Sequence, residues 1–166
     1  MFKKQQVPIM KTTFSYIGKT ADKYLEEGIG MYERRLKHYL SYETVLIPDV
    51  KNGGKLEAEQ LKIKEGEQIL QRLKNDDCLI LLDERGKLYT SEQFAANMDQ
   101  WFQAPYKRLV FQVGGAFGFS EAVYQRANYK LSLSAMTFSH QMIRLFFLEQ
   151  LYRAMTILRN EPYHNS

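Results

Sequence analysis

Leu109–Ser120 reads LVFQVGGAFGFS. The run Leu109–Val113 has the apolar, β-forming composition of a buried strand. It passes directly into Gly114, Gly115 and Gly118, and Ser120 then stands at the head of a short helix with Glu121 in its first turn. A strand that ends in glycine before a helix lets backbone approach a ligand closely, at the sheet edge where α/β folds bind ligands. A tight turn explains the same glycines. The spacing is neither G-x-G-x-x-G nor a P-loop, so neither phosphate motif decides the matter.

Strands alternate with helices on both sides of this stretch. Thr12–Ile17 predicts a first strand closed by Gly18, and Glu43–Ile47 a second, stopped by Pro48. Cys78–Leu82 is a continuous apolar run of the kind that is covered on both faces. Helical spacing of apolar residues predicts helices over Asp22–Leu40 and Leu56–Leu73, the latter with Leu61, Ile69, Leu70 and Leu73 inward. Thr90 and Gln93 form a capping box for a helix through Trp101 and Phe102. Leu131–Met136 predicts the last strand, and Ser139 a cap for a helix over His140–Leu158. The pattern is that of an α/β domain with a mostly parallel sheet and helices on both faces.

The final helix carries apolar residues around most of its circumference. Either it is sandwiched in the core or one face meets a second subunit; the small domain favours a homodimer. Arg144 and Arg153 interrupt it, and each needs a carboxylate or a bound phosphate as partner.

The bulk numbers narrow the class without naming it. The chain has 166 residues, with 23 Lys and Arg against 19 Asp and Glu, a net charge of +4 that suits a nucleic-acid partner. Residues 10–166 are expected to form one domain and residues 1–9 a short extension. The lone Cys78 can neither staple the fold nor build a zinc site, and fits a reducing cytoplasm. No run has the length of a membrane span, and the N-terminus lacks the apolar core of a signal peptide. His38, His140 and His164 share no metal-ligand spacing, so no metal site is expected, and the absence of G-x-S-x-G disfavours a serine hydrolase.

Several stretches together carry a resemblance. They are Ile17-Gly18-Lys19-Thr20, Lys23–Gly28, Ile47-Pro48-Asp49, Lys64–Leu70, Leu82-Asp83, Gly114-Gly115, Leu131–Phe138, His140-Gln141, Glu149–Ala154 and Pro162-Tyr163-His164. In this order they resemble the RlmH-type SPOUT methyltransferases, which act on N3 of a pseudouridine in large-subunit ribosomal RNA. The resemblance runs from Met10 to His164 and implies a trefoil-knotted α/β fold, a homodimer, S-adenosylmethionine as methyl donor, and ribosomal RNA, as large subunit or assembled ribosome, as substrate. It places the cofactor against Leu82, Gly114 and Leu133, Ser134, Ala135, Met136, Thr137 and Phe138. The chain departs from the family pattern at Ser139, where many members have proline, and at Ala116-Phe117-Gly118, where many have a more polar loop.

N3 of the target carries a proton that must leave, which calls for a base. His140, Tyr163 and His164 are candidates, with Arg153 stabilising the developing imide anion and Arg144, Lys19 and Lys23 as RNA contacts. Three other readings stay open: a SPOUT enzyme for another RNA such as tRNA, a non-catalytic ribosome-assembly factor, and a flavodoxin-like nucleotide binder.

Overall fold

The computed structural model describes residues 7–165. Positions 1–6 of the expected extension therefore lie outside the described residues. The elements are β1 (Lys11–Ile17), α1 (Lys23–Leu36), β2 (Ser41–Ile47), a 3-10 turn (Gly53–Lys55), α2 (Ala58–Gln71), β3 (Asp77–Leu88), α3 (Ser91–Gln103), β4 (Arg108–Val113), α4 (Glu121–Arg126), β5 (Tyr129–Ser132) and α5 (Met142–Leu158). All five strands are parallel, in the order β2-β1-β4-β3-β5. Helices α1, α3 and α5 cover one face over a core that includes Phe14, Phe111, Phe147 and Leu151. Helices α2 and α4 cover the other over Leu79, Leu81 and Val110.

Several sequence expectations change. The third strand does not end at Leu82 but at Leu88, because residues 83–86 loop out of the ladder while Leu131 pairs with both Leu82 and Lys87. The last strand ends at Ser132. Beyond it, Ser132 Oγ donates to Ser134 O (2.8 Å) and Ser134 Oγ accepts from Met136 N (3.0 Å), local bonds that compete with a ladder. Ser120 stands at the N-cap of α4 without a side-chain capping bond. Helix α2 buries Glu65, Gly66 and Ile69, while Leu61, Leu70 and Leu73 stay only partly covered.

Of the capping readings, one is found in place. Thr90 and Gln93 close their capping box, whereas Gln141 and not Ser139 is the N-cap of α5, which starts at Met142, and Ser139 Oγ accepts from Met142 N in the turn before it (3.0 Å). Helix α5 owes its apolar girth to its position against the sheet between α1 and α3. Phe146 and Phe138 remain outward, stacked at 4.8 Å and 39% and 42% exposed.

Candidate functional site

A cavity of about 470 Å³ opens at the carboxyl ends of β3, β4 and β5. Its walls are Leu82 and the looped-out Asp83–Arg85, the glycine segment Gly114–Gly118, and the irregular stretch between β5 and α5. Of the residues assigned to the cofactor on sequence, Leu82, Gly114, Leu133, Ser134, Met136, Thr137 and Phe138 line this cavity, whereas Ala135 does not. His140 and Ile143 complete it.

The wall at Gly114 is bare backbone for a steric reason. A Cβ there would lie 3.3 Å from the Gly118 backbone and 3.3 Å from the Phe119 ring. Gly118 itself has φ +85°, the left-handed region that glycine enters freely. Gly86 matters as much. Its missing Cβ would stand 2.7 Å from the Leu131 backbone, so glycine is what lets the loop-out return to β5. One rim is then fixed by Asp83, which accepts from the Tyr124 hydroxyl and from Arg85 N (2.9 Å). Burial, and then that bond to Asp83, push the Tyr124 phenol up to about 12.

Behind the glycine wall lies a group that sequence reading missed. Glu65 is 7% exposed, and its carboxyl oxygens fill the space of a Gly115 Cβ, at 2.4 and 2.6 Å from where that atom would be. Burial, followed by the charge of Asp49, pushes its pKa up to about 6. On a helix as charged as α2, a glutamate that faces inward cannot be told from its solvated neighbours by type alone.

His140 sits where β5 has left the sheet and α5 begins. Burial, and then the adjacent Arg144 charge, lower its pKa and keep the imidazole neutral at physiological pH.

Arg144 corrects the sequence reading. It was expected to contact RNA, but it is 0% exposed. Its guanidinium donates to Ile17 O (2.8 Å), Gly18 O (2.9 Å), His140 O (3.1 Å) and Thr20 Oγ1 (3.2 Å), and lies 4.1 Å from the Tyr16 ring centroid. Each of its three nitrogens donates within the chain and the side chain is fully buried, so no phosphate reaches it. Its role is to pin the end of β1 to α5. Lys19 and Lys23, by contrast, are exposed.

The remaining candidates form a second cluster toward the other end of α5. Glu149 accepts from the Arg153 guanidinium and from the Tyr163 hydroxyl (3.0 Å). Arg153 also reaches His164 Nδ1 (3.1 Å) and lies 4.9 Å from the Tyr163 ring centroid. His164 Nε2 meets Glu92 at the start of α3 (2.8 Å), and Tyr32 on α1 touches Tyr163 (3.4 Å between hydroxyls). Burial, then Tyr32 and Glu149, raise the Tyr163 phenol above its ordinary value. The tail thus docks on three helices, and Arg153, Tyr163 and His164 meet each other but not the cavity of their own chain. Among the described residues, no group of three or more His, Cys, Asp or Glu is placed to hold a metal ion.

Comparison with known proteins bears on this geometry. The family model described as "Predicted SPOUT methyltransferase" matches residues 10–164. A protein of Parabacteroides distasonis named ribosomal RNA large subunit methyltransferase H is 56% identical over 156 residues, 94% of this chain and 99% of the relative. A Christiangramia forsetii protein of the same name is 54% identical over 149 residues, 90% of this chain and 95% of the relative. Among solved structures, a probable methylase family protein from Haemophilus influenzae superposes with a TM-score of 0.53 at 16% identity. That match covers 93% of this chain and 69% of the other, and shares the fold. With a glycine-walled cavity at the carboxyl edge of a parallel sheet, and a family model that spans nearly its whole length, this chain belongs to the SPOUT methyltransferase family.

Proposed function

We propose that this methyltransferase uses S-adenosylmethionine to methylate N3 of a pseudouridine in 23S ribosomal RNA of the large subunit, acting in the cytoplasm as a homodimer on the subunit or the assembled ribosome. The observation that carries the reading is the cavity walled by Leu82, Gly114 and residues 133–138, in a chain 56% identical to a named ribosomal RNA large subunit methyltransferase. No helix among the described residues is long and apolar enough to cross a membrane.

The residues present fit the donor. Leu82, Leu131, Leu133 and Ile143 offer apolar walls to a purine, and Gly114 presents bare backbone to the cavity. Bound there, the sulfonium supplies a methyl group already activated for transfer, so the chain's task is alignment and proton removal. His140, neutral and on the cavity wall, holds a lone pair for the N3 proton. Arg153 supplies positive charge for the imide that develops as that proton leaves. Lys19 and Lys23 are exposed contacts for phosphate, so binding weakens with salt.

Dimerisation would join the two clusters. Ile143 lines the cavity and Arg153 lies about 15 Å further along the same helix. A two-fold pairing on the outward Phe138 and Phe146, with its axis across α5, would set two α5 helices antiparallel and bring each tail toward the other cavity. The same stretch is where the trefoil knot of the family would thread. The chain leaves the sheet at the edge strand β5, and Gln141 then bonds to Ala21 N (2.9 Å) and Lys19 O (3.3 Å) beside β1, three strands away. Residues 1–9, ahead of the span that the family model matches, would be an extension to this domain.

Methyl transfer from radiolabelled S-adenosylmethionine to ribosomes lacking the modification, followed by mapping of the labelled nucleotide, tests the reading. Label on a large-subunit pseudouridine is the expected result. Label confined to transfer RNA would redirect the substrate, and no label on any RNA with the cofactor bound would remove the function.

A further inference from the structure

We propose that His164 is a positioning residue for Arg153 and not the proton acceptor, and that Glu92 fixes the tautomer in which it does this. The inference rests on the reading that the tail works in methyl transfer.

A guanidinium carries only N–H donors, so the 3.1 Å contact between Arg153 Nη1 and His164 Nδ1 requires a lone pair on Nδ1. An ionised carboxylate only accepts, so the 2.8 Å contact between Nε2 and Glu92 requires the ring proton on Nε2. The hydrogen bond from His164, and then a backbone N–H, hold the Glu92 carboxyl below its usual range. His164 is therefore neutral, with a single tautomer and both nitrogens committed.

A ring in that state has no lone pair to offer a substrate proton. A second proton on Nδ1 would point at the Arg153 guanidinium. What the imidazole does instead is hold one arm of that guanidinium while Glu149 holds the other and the Tyr163 ring lies against it. The groups facing this ring and its arginine are Glu92 from α3, Glu149 and Arg153 from α5, Tyr163 from the tail and Tyr32 from α1. Arg153 is the group so oriented, and Glu92, half exposed at the head of α3, sets the angle of the ring that orients it.

Two measurements on the full chain test this. Nitrogen-15 spectra of the histidines should show His164 with an unprotonated, pyridine-like Nδ1 and a protonated Nε2. In Glu92→Ala the ring is free to turn away from Arg153, and that preference should weaken. In ribosome methylation, His164→Asn puts a carbonyl oxygen where Nδ1 stood and should keep kcat within about threefold, while His164→Ala loses about tenfold or more. Both variants should bind S-adenosylhomocysteine as the wild type does. A protonated Nδ1 overturns the assignment whether or not ribosomes are methylated. Equal inactivity of His164→Asn and His164→Ala would return His164 to the role of base. Wild-type activity of His164→Ala overturns the positioning role and leaves the methyl-transfer reading standing.

Discussion

The cavity at the sheet edge is built from backbone, whereas the cluster at the far end of α5 is built from charged and hydroxyl tips. Around the cavity the decisive atoms are missing ones: no Cβ at Gly86, Gly114 or Gly115, and local serine bonds that keep residues 133–136 out of the ladder. In the tail cluster, Arg153, Glu149, Tyr163, His164 and Glu92 hold one another, and little backbone is involved. The first construction fixes shape and tolerates changes of charge. The second fixes charge and tolerates small changes of shape. A methyltransferase needs both, one to align the donor and one to meet the charge that develops on the acceptor.

The widest separation between the two regions should come from removing the tail. Deletion of Tyr163–Ser166 is expected to lower kcat by roughly a hundredfold to a thousandfold, while calorimetry finds cofactor affinity unchanged. Retention of full methylation would mean that the cluster has no part in transfer. Arg144, which lies between the regions, tests whether α5 is pinned as described. Arg144→Ala leaves the carbonyls of Ile17 and Gly18 without donors and should cost about 3 kcal/mol in denaturant unfolding. Arg144→Lys should recover little of that, because an ammonium cannot fork to both carbonyls. A stable lysine variant with a reduced salt slope for RNA binding would restore the phosphate role instead.

These two regions also differed in how far they could be read from the amino-acid sequence. Alternating strands and helices, the capping box at Thr90 and the glycine stop after Val113 are local signals, and the elements they mark are present, though β3 runs on to Leu88 and β5 stops at Ser132. The cavity wall was reached through the family resemblance at Leu82, Gly114 and 133–138, and all but Ala135 line the cavity. Arg144 was misread because an arginine on an apolar helix looks the same whether its partner is a phosphate or a carbonyl. Two of its acceptors are backbone atoms 126 and 127 residues earlier, which no spacing rule reaches. Residues 83–86 looked like the end of a strand because a loop-out has loop composition, and only the pairing of Leu131 on both sides reveals that the strand resumes. The pairing of His164 with Glu92 joins residues 72 apart and has no local trace.

A smaller effect should sharpen the backbone side of the comparison. Gly114→Val adds a branched side chain where even a Cβ is within 3.3 Å of Gly118 and Phe119. The wall must yield, and cofactor binding should weaken by about 2 kcal/mol, near thirtyfold in Kd. The tail cluster is untouched, so its nitrogen-15 signature at His164 should persist. Unchanged affinity by calorimetry would show that the donor does not lie against this wall.

The smallest expected effect comes from the one charge hidden behind that wall. Glu65 has its pKa pushed up to about 6 by burial and by Asp49, from an ordinary value of 4.5. Between those values the folded protein keeps a proton that the unfolded chain has released, so stability falls as pH rises through the window and is flat above it. Above about pH 6 the ionised carboxyl therefore costs roughly 1–2 kcal/mol of stability. Glu65→Gln keeps the shape against Gly115 and removes the titration. It should raise stability by that amount at pH 7.5, and its unfolding free energy should lose the decline between pH 4.5 and 6. A variant less stable than wild type at pH 7.5 would show that the carboxylate is compensated where it sits. A gain in stability with weaker cofactor binding would mean that the chain carries this buried charge for the site in front of it, which would bring a charge-built element into the region otherwise made of backbone.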